Sequence, residues 1–325
     1  MNRYLTGAIA IASVGLSMHA NALNILLTND DGCRAPGIDA MYRALTAAGH
    51  KVTLVGPLND SSGISAASVV VPGQALAVTE LAPGRFCVGP PDGYTPPAGK
   101  TSAIGTPVDA VNVGLDVILK DSPPDLVVSG SNFGENVGPL TQMSGTLNAA
   151  VRAMLKGIAA VAVSTGIDMD LIIRDQQAGY RKTLAAMDDT ARFAVKVIEQ
   201  ASLAGTAARQ ACAQSNHSCE LNVLGLPGVS GLNLNYPPLP PGEVKGVSFA
   251  PIGNWDRVNF TSQRGADGVV HVNLAPPPTP TAAQQQADAY QLWQGHAVIT
   301  VIDGNMSAPE AVQGRAKKML GSIKP

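Results

Sequence analysis

Two carboxylates stand side by side in Asn29-Asp30-Asp31-Gly32, directly after the apolar run Asn24 to Thr28. Adjacent carboxylates repel each other, and a hard divalent cation relieves that repulsion while taking their oxygens as ligands. The same four residues would also serve as a turn and a helix N-cap, where Asp and Gly are common. A second group, Ser129 to Gly138 (S-G-S-N-F-G-E-N-V-G), follows another apolar run. Its glycines let the backbone approach a ligand closely. Asn132 and Asn136 supply neutral oxygens or amide donors, although an ordinary Gly/Asn loop has the same composition. The third group, Ser144-Gly145-Thr146, stands where a helix should open. Backbone N–H groups and hydroxyls at a helix N-terminus make an anion site, and Ser144 alone would make a simple cap. Hard oxygen ligands beside anion donors point to phosphoryl chemistry with one divalent cation, magnesium, manganese or calcium, rather than zinc or copper. Nucleotide-binding alternatives lack their signatures. GxxxxGK[ST] is missing, and the first strand-to-helix turn reads NDDG rather than GxGxxG.

The elements around these groups must bring them together. Asn24 to Thr28 is short and apolar enough for a buried strand. Pro36 opens a helical pattern to about Ala48, and Lys51 to Val55 reads as a second strand. A strand–helix–strand unit of this kind predicts a mostly parallel, Rossmann-like α/β sheet with helices on both faces. Its ligands would bind at the carboxyl ends of the strands, where the first two groups fall. Residues 59–105, rich in Gly, Pro and Ser, read as an excursion rather than a core layer. A helix is expected over Thr106 to Leu119, a strand over Leu126 to Ser129 and a helix over Ser144 to Lys156. Ile158 to Ser164 reads as a strand and Tyr180 to Gln200 as a long amphipathic helix. From about residue 236 Pro-rich stretches alternate with short strand-like runs, which suits edge or arm elements.

These groups resemble, in order and spacing, the SurE family of survival-protein nucleotidases. The similarity is carried by I-L-L-T-N-D-D-G at 25–32, A-P-G-I at 35–38, S-G at 62–63 and G-T-P-V-D-A-V at 105–111. It continues through D-L-V-V-S-G at 125–130, N-F-G-E-N at 132–136, S-G-T at 144–146 and, less closely, L-N-L-N-Y-P at 232–237. The resemblance implies one divalent ion per subunit on Asp30, Asp31, Ser62 and Asn132, with Ser61 as the alternative serine. It places a phosphate pocket on Ser144, Gly145 and Thr146, with Asn136 nearby. It implies hydrolysis of nucleoside 5′- and 3′-monophosphates by water attack, with Asp30 and Asp31 as the catalytic residues. It also implies a homodimer or homotetramer that exchanges C-terminal arms. The chain departs from the family pattern at Cys33, Ser131 and Met143, and Phe86 to Ser102 reads as an insertion.

Composition limits the alternatives. A hydrophobic fraction of 45% against 14% charged residues provides for a sizeable core. The formal charge of -2 argues against a nucleic-acid polymer as partner, which calls for a basic stripe. Residues 1–22 read as a secretory signal: a basic start at Arg3, an apolar stretch from Tyr4 to Met18, and Ala20-Asn21-Ala22 as the cleavage site. Export to the periplasm or beyond follows, with 23–325 as one α/β unit and no membrane span. Four cysteines suit an oxidising compartment, with a bridge expected between Cys212 and Cys219 and the pairing of Cys33 with Cys87 left open. Two rival functions remain: an exported binding protein that holds a phosphorylated metabolite without turnover, and a metal-dependent esterase. A serine esterase lacks its GxSxG elbow here.

Overall fold

The computed structural model describes residues 22–96, 103–214, 220–305, 307 and 310–320. The N-terminal run 1–21 and Cys219 fall outside them, and so do the expected signal segment and the Cys212–Cys219 bridge. The strands are β1 (Asn24–Thr28), β2 (Lys51–Pro57), β3 (Ala77–Ala82), β4 (Arg85–Gly89), β5 (Leu126–Phe133), β6 (Ala160–Thr165), β7 (Gly231–Tyr236), β8 (Val247–Phe249), β9 (Asn259–Arg264), β10 (Val270–Ala275) and β11 (Ala297–Ile302). The helices are α1 (Pro36–Ala47), α2 (Pro107–Val113), α3 (Gly145–Leu155), α4 (Met169–Arg174), α5 (Gln176–Ala213), α6 (Asp288–Trp293) and α7 (Glu310–Leu320). Nine strands form one sheet in the order β3-β4-β2-β1-β5-β6-β7-β11-β8, and β9 and β10 pair separately. From β4 to β7 every neighbour is parallel, whereas β3 and β11 run antiparallel to their partners β4 and β7.

Period-2 alternation divides each central strand between two cores. Ile25 and Leu27 of β1 face Ile38, Met41 and Leu45 of α1 and Ile198 of α5. Leu26, between them, faces the opposite layer with Val111 of α2 and Ala150 and Met154 of α3. Both faces are thereby covered, and the near-continuous apolar reading of β1, β5 and β6 follows from that. The expected Rossmann-like sheet with helices on both faces is the observed architecture.

Several details differ from the sequence reading. The excursion at 59–105 contains β3 and β4, and β4 extends the parallel sheet beside β2 with Cys87 and Val88 buried. Its buried stretch, Cys87-Val88-Gly89, is too short to declare itself among glycines and prolines. Part of the presumed insertion at Phe86 is therefore sheet. Cys33 and Cys87 form a disulfide, with Cα atoms 5.5 Å apart, that ties the NDDG loop to β4 across the end of β2. Helix α5 begins before Tyr180 and continues past Gln200. Beyond residue 236 the chain returns to the main sheet through β8 and β11, while the β9–β10 hairpin stays largely exposed. No helix among the described residues is long and apolar enough to cross a membrane.

Candidate metal and phosphate site

Strand β1 ends in the aspartates, and β5, its parallel neighbour, leads into the Asn132 loop. The backbone N–H of Phe133 donates to Asp31 Oδ2 at 2.9 Å, which ties the two strand ends together. Helix α1 lies against the same loop because Gly37 has no side chain. A Cβ there would sit 1.9 Å from the Ser131 carbonyl oxygen. Helix α3 starts against Asp30 for a similar reason: a Cβ on Gly145 would come within 2.8 Å of Asp30 Cβ and 2.9 Å of its Oδ2. The 59–63 segment joins through the Ser61 N–H, which donates to the Asp30 carbonyl at 2.8 Å. The structure thus brings loops from four parts of the chain to the end of β1.

Each expected ligand has a defined place. Asp30 is almost fully buried, and its Oδ1 accepts from the Thr146 hydroxyl. Asp31 is partly exposed at the mouth. Asn132 is buried, and its Nδ2 donates to the Gly134 carbonyl at 2.8 Å, leaving Oδ1 without a hydrogen bond among the described residues. The Ser62 hydroxyl, exposed, donates to Asp60 Oδ1 at 2.7 Å and keeps its lone pairs. The Ser61 hydroxyl reaches only the Asn59 carbonyl, at 3.4 Å.

The electrostatics are those of an unneutralised acidic centre. Burial pushes the Asp30 carboxyl above its ordinary range, while the hydroxyl and N–H of Thr146 pull it back and Asp60 pushes it further up. Burial first, then the neighbouring Asp30 charge, push Asp31 up to about 7, with Phe133 N–H opposing and Asp60 adding a smaller push. Every charged group that perturbs these two aspartates is another carboxylate. Among the described residues no three His, Cys, Asp or Glu side chains cluster as a metal site. An ion here would rest on two carboxylates and on the neutral oxygens of Asn132 and Ser62. Free, hard oxygens with uncompensated negative charge fit a divalent cation of the magnesium, manganese or calcium type.

The phosphate residues divide into two kinds. Ser144 caps α3, its hydroxyl oxygen accepting the Leu147 N–H at 2.9 Å while its own proton stays free to donate. Gly145 is the first residue of α3, where N–H groups have no intrahelical acceptor. Thr146, by contrast, gives its hydroxyl to Asp30, which makes it a brace for the carboxylate. Asn136 is also committed elsewhere. Its N–H goes to Asn235 Oδ1 at 2.8 Å, its Nδ2 to Ser164 Oγ at 2.9 Å, and its carbonyl accepts from Asn233 Nδ2 at 2.8 Å. It fastens the loop to β6 and β7, with one of the two Nδ2 hydrogens committed to Ser164. The sequence reading missed Asp60, although D-S-S-G beside the candidate serine was available as a signal. It also gave no role to Asn233 and Asn235, despite noticing L-N-L-N-Y-P.

Comparison with known proteins shows the family and the fold. Residues 25–259 match the family described as survival protein SurE. The chain is 36% identical over 228 residues to a 5′-nucleotidase SurE of Nitratidesulfovibrio vulgaris, covering 70% of this chain and 66% of that relative. It is 31% identical over 287 residues to a 5′-nucleotidase SurE of Desulfovibrio desulfuricans, covering 86% and 91%. The crystal structure of the SurE protein from Aquifex aeolicus shares the fold with a TM-score of 0.65 at 23% identity, over 91% of this chain and 99% of that one. The matched segment contains the aspartate pair, the Asn132 loop and the start of α3, and the chain belongs to the SurE family.

Proposed function

We propose that the chain is a phosphomonoester hydrolase that releases phosphate from nucleoside 5′-monophosphates, and from 3′-monophosphates as well, with one divalent cation bound by Asp30, Asp31, Asn132 and Ser62. The observation that carries this reading is the Asp30–Asp31 pair, uncompensated by any basic group, with Asp30 buried against the N-terminus of α3 and Asp31 at the mouth. Relatives named 5′-nucleotidase supply the substrate class. A bound cation supplies Lewis acidity toward the phosphoryl oxygens and a more acidic water.

The chain's own groups account for the rest. The Gly145 N–H and the Ser144 hydroxyl donate to equatorial phosphoryl oxygens, where charge develops in the transition state, and the helix N-terminus adds its positive potential. Thr146 holds Asp30 in one orientation, and the Phe133 N–H does the same for Asp31. Water attacks phosphorus in line with the ester oxygen, one of the two aspartates takes its proton, and the ester P–O bond breaks as the departing ribose oxygen takes a proton from solvent. The Asn136 network keeps the loop and the strand ends in register during turnover.

The same proposal includes export through the segment ending at Ala22 and self-association through the exposed β9–β10 hairpin, which presents Phe260, Val272 and Leu274. The decisive assay is phosphate release from 5′-AMP and 3′-AMP with magnesium, manganese or calcium and with a chelator. Release that requires the cation is expected. No release under any of these conditions would refute the reading, and release undiminished by chelation would remove the metal from it.

A further inference from the structure

A cavity of about 220 Å3 opens at the carboxyl ends of β6 and β7, lined by Gly166 and Pro237 just beyond those strands. Glu135, from the loop that carries Asn132, also lines it, so the cavity and the candidate metal site share one loop. Its charges are only partly matched. Lys182 pairs with Asp168 at 2.7 Å, and Arg257 pairs with Asp170. Glu135 and Asp256 have no basic side chain in ion-pair contact among the described residues. Asp256 is 8% exposed, and its Oδ1 accepts the Val258 N–H at 3.0 Å. Its Oδ2 is buried and accepts from nothing. Burial pushes Asp256 up to about 7, with Glu135 and then Asp288 adding to the push. A buried carboxylate oxygen in that state is costly unless a donor meets it. The remaining wall is apolar, with Ile167, Leu239 and Leu292, and Trp293 carries the Arg257 guanidinium 5.1 Å above its ring.

These features select a ligand. Glu135 accepts the Ile167 N–H at 2.7 Å and feels the Arg257 charge, which leaves Asp256 as the carboxyl that lacks a donor; its acceptor oxygen disfavours a phosphate, so the group that enters is neutral or cationic. It must bring N–H donors for Asp256 and a flat or apolar body for the wall. We infer that this cavity receives the base of a nucleoside monophosphate, Asp256 accepting N–H donors from the base edge, an assignment that rests on the phosphatase reading above. The sheet order β1-β5-β6-β7 sets the scale. Two to three strand spacings, about 10–14 Å, separate the ends of β1 and β5 from that of β7, which is the reach of a nucleotide from phosphate to base. Guanine offers two adjacent donor groups to one carboxylate, uracil a single N–H, and ribose 5-phosphate none. GMP is therefore the preferred substrate of the three.

The test compares hydrolysis of GMP, UMP and ribose 5-phosphate by the wild type, Asp256→Asn and Trp293→Ala. It also titrates guanosine, which carries no phosphate, into the wild type and Asp256→Asn by calorimetry at millimolar concentration. The ratio of kcat/KM for GMP to that for ribose 5-phosphate is expected to fall at least about tenfold in Asp256→Asn, the scale of one hydrogen bond to a charged group. A smaller fall is expected in Trp293→Ala. Guanosine is expected to bind the wild type and not Asp256→Asn. An unchanged ratio in both variants, or no guanosine binding to the wild type, overturns the assignment. A wild type that hydrolyses none of the three substrates refutes the phosphatase reading instead, and guanosine binding then decides the cavity by itself.

Discussion

Replacing Asp31 by Asn should make the metal-free protein more stable and the enzyme inactive. In the folded, metal-free chain the Asp31 carboxyl lies at about 7 rather than 3.8. The native state thus holds a proton that the unfolded state has released, and stability falls as pH rises through the window between those values. The shift is about three pH units at about 1.4 kcal/mol each, a ceiling of about 4 kcal/mol above pH 7. Asp31 is partly exposed, and solvent screening brings the expected gain of Asp31→Asn to about 1–3 kcal/mol, a rise of a few degrees in Tm. The gain should be present at pH 8 and reduced to about a quarter at pH 4.5, where the native carboxyl is protonated and the unfolded one only partly ionised beyond its midpoint. Manganese should reverse the order at pH 8, because it stabilises the wild type by binding the native state and the variant has lost an anionic ligand. Hydrolysis should drop at least about 100-fold, comparable with removal of one transition-state donor. The assay is a set of melts at both pH values, with chelator or manganese, alongside phosphate release from 5′-AMP. An equal melting shift at pH 4.5 and pH 8, or a variant less stable than wild type in chelator, would refute the electrostatic argument. Near-wild-type turnover would refute the site.

Asn132→Ala should lower manganese affinity and turnover in the same direction but less, since it removes a neutral oxygen; titration of both variants gives the ranking. Gly145→Ala should force a Cβ into the space held by Asp30 and destabilise the fold by about 1–3 kcal/mol despite alanine's better helix propensity; chemical denaturation measures it. Loss of the Cys33–Cys87 bridge in Cys33→Ala/Cys87→Ala should cost about 4 kcal/mol, from closure of a loop with a sequence separation of 54. Peptide mapping without reductant should show that bridge and, by the sequence argument, one between Cys212 and Cys219. N-terminal sequencing of the protein from its native host should begin at Leu23, and an intact Met1 on the exported protein would exclude the expected cleavage.

The parts of the fold that were legible in the sequence are those where one local signal outweighs the rest. N-I-L-L-T is buried on both faces, so its apolarity is continuous and β1 reads directly. Pro36 and Gly49 bracket α1 with the start and stop that its backbone needs. Strand β4 was obscured because only its last residues are buried and its partner β3 is exposed. At the site, residue types showed which oxygens were present but not where their hydrogen bonds would go. Thr146 looks like a hydroxyl donor for a substrate, and only the folded chain shows that hydroxyl spent on Asp30 and Asn136 fastened to Ser164 and Asn235. Asp60 acts on the aspartate pair from the separate loop after β2, an interaction that no periodicity encodes.

The disulfide from Cys33 to Cys87 encloses the exposed, irregular stretch 58–76, where Val70 and Val71 are 86% and 57% accessible. A protease cutting at that stretch would leave two pieces still joined by a covalent link next to the aspartates. The nicked protein should migrate as a single band until a reductant is added, with β1 and β4 still in place in the sheet. The bridge thereby separates backbone cleavage from loss of the site.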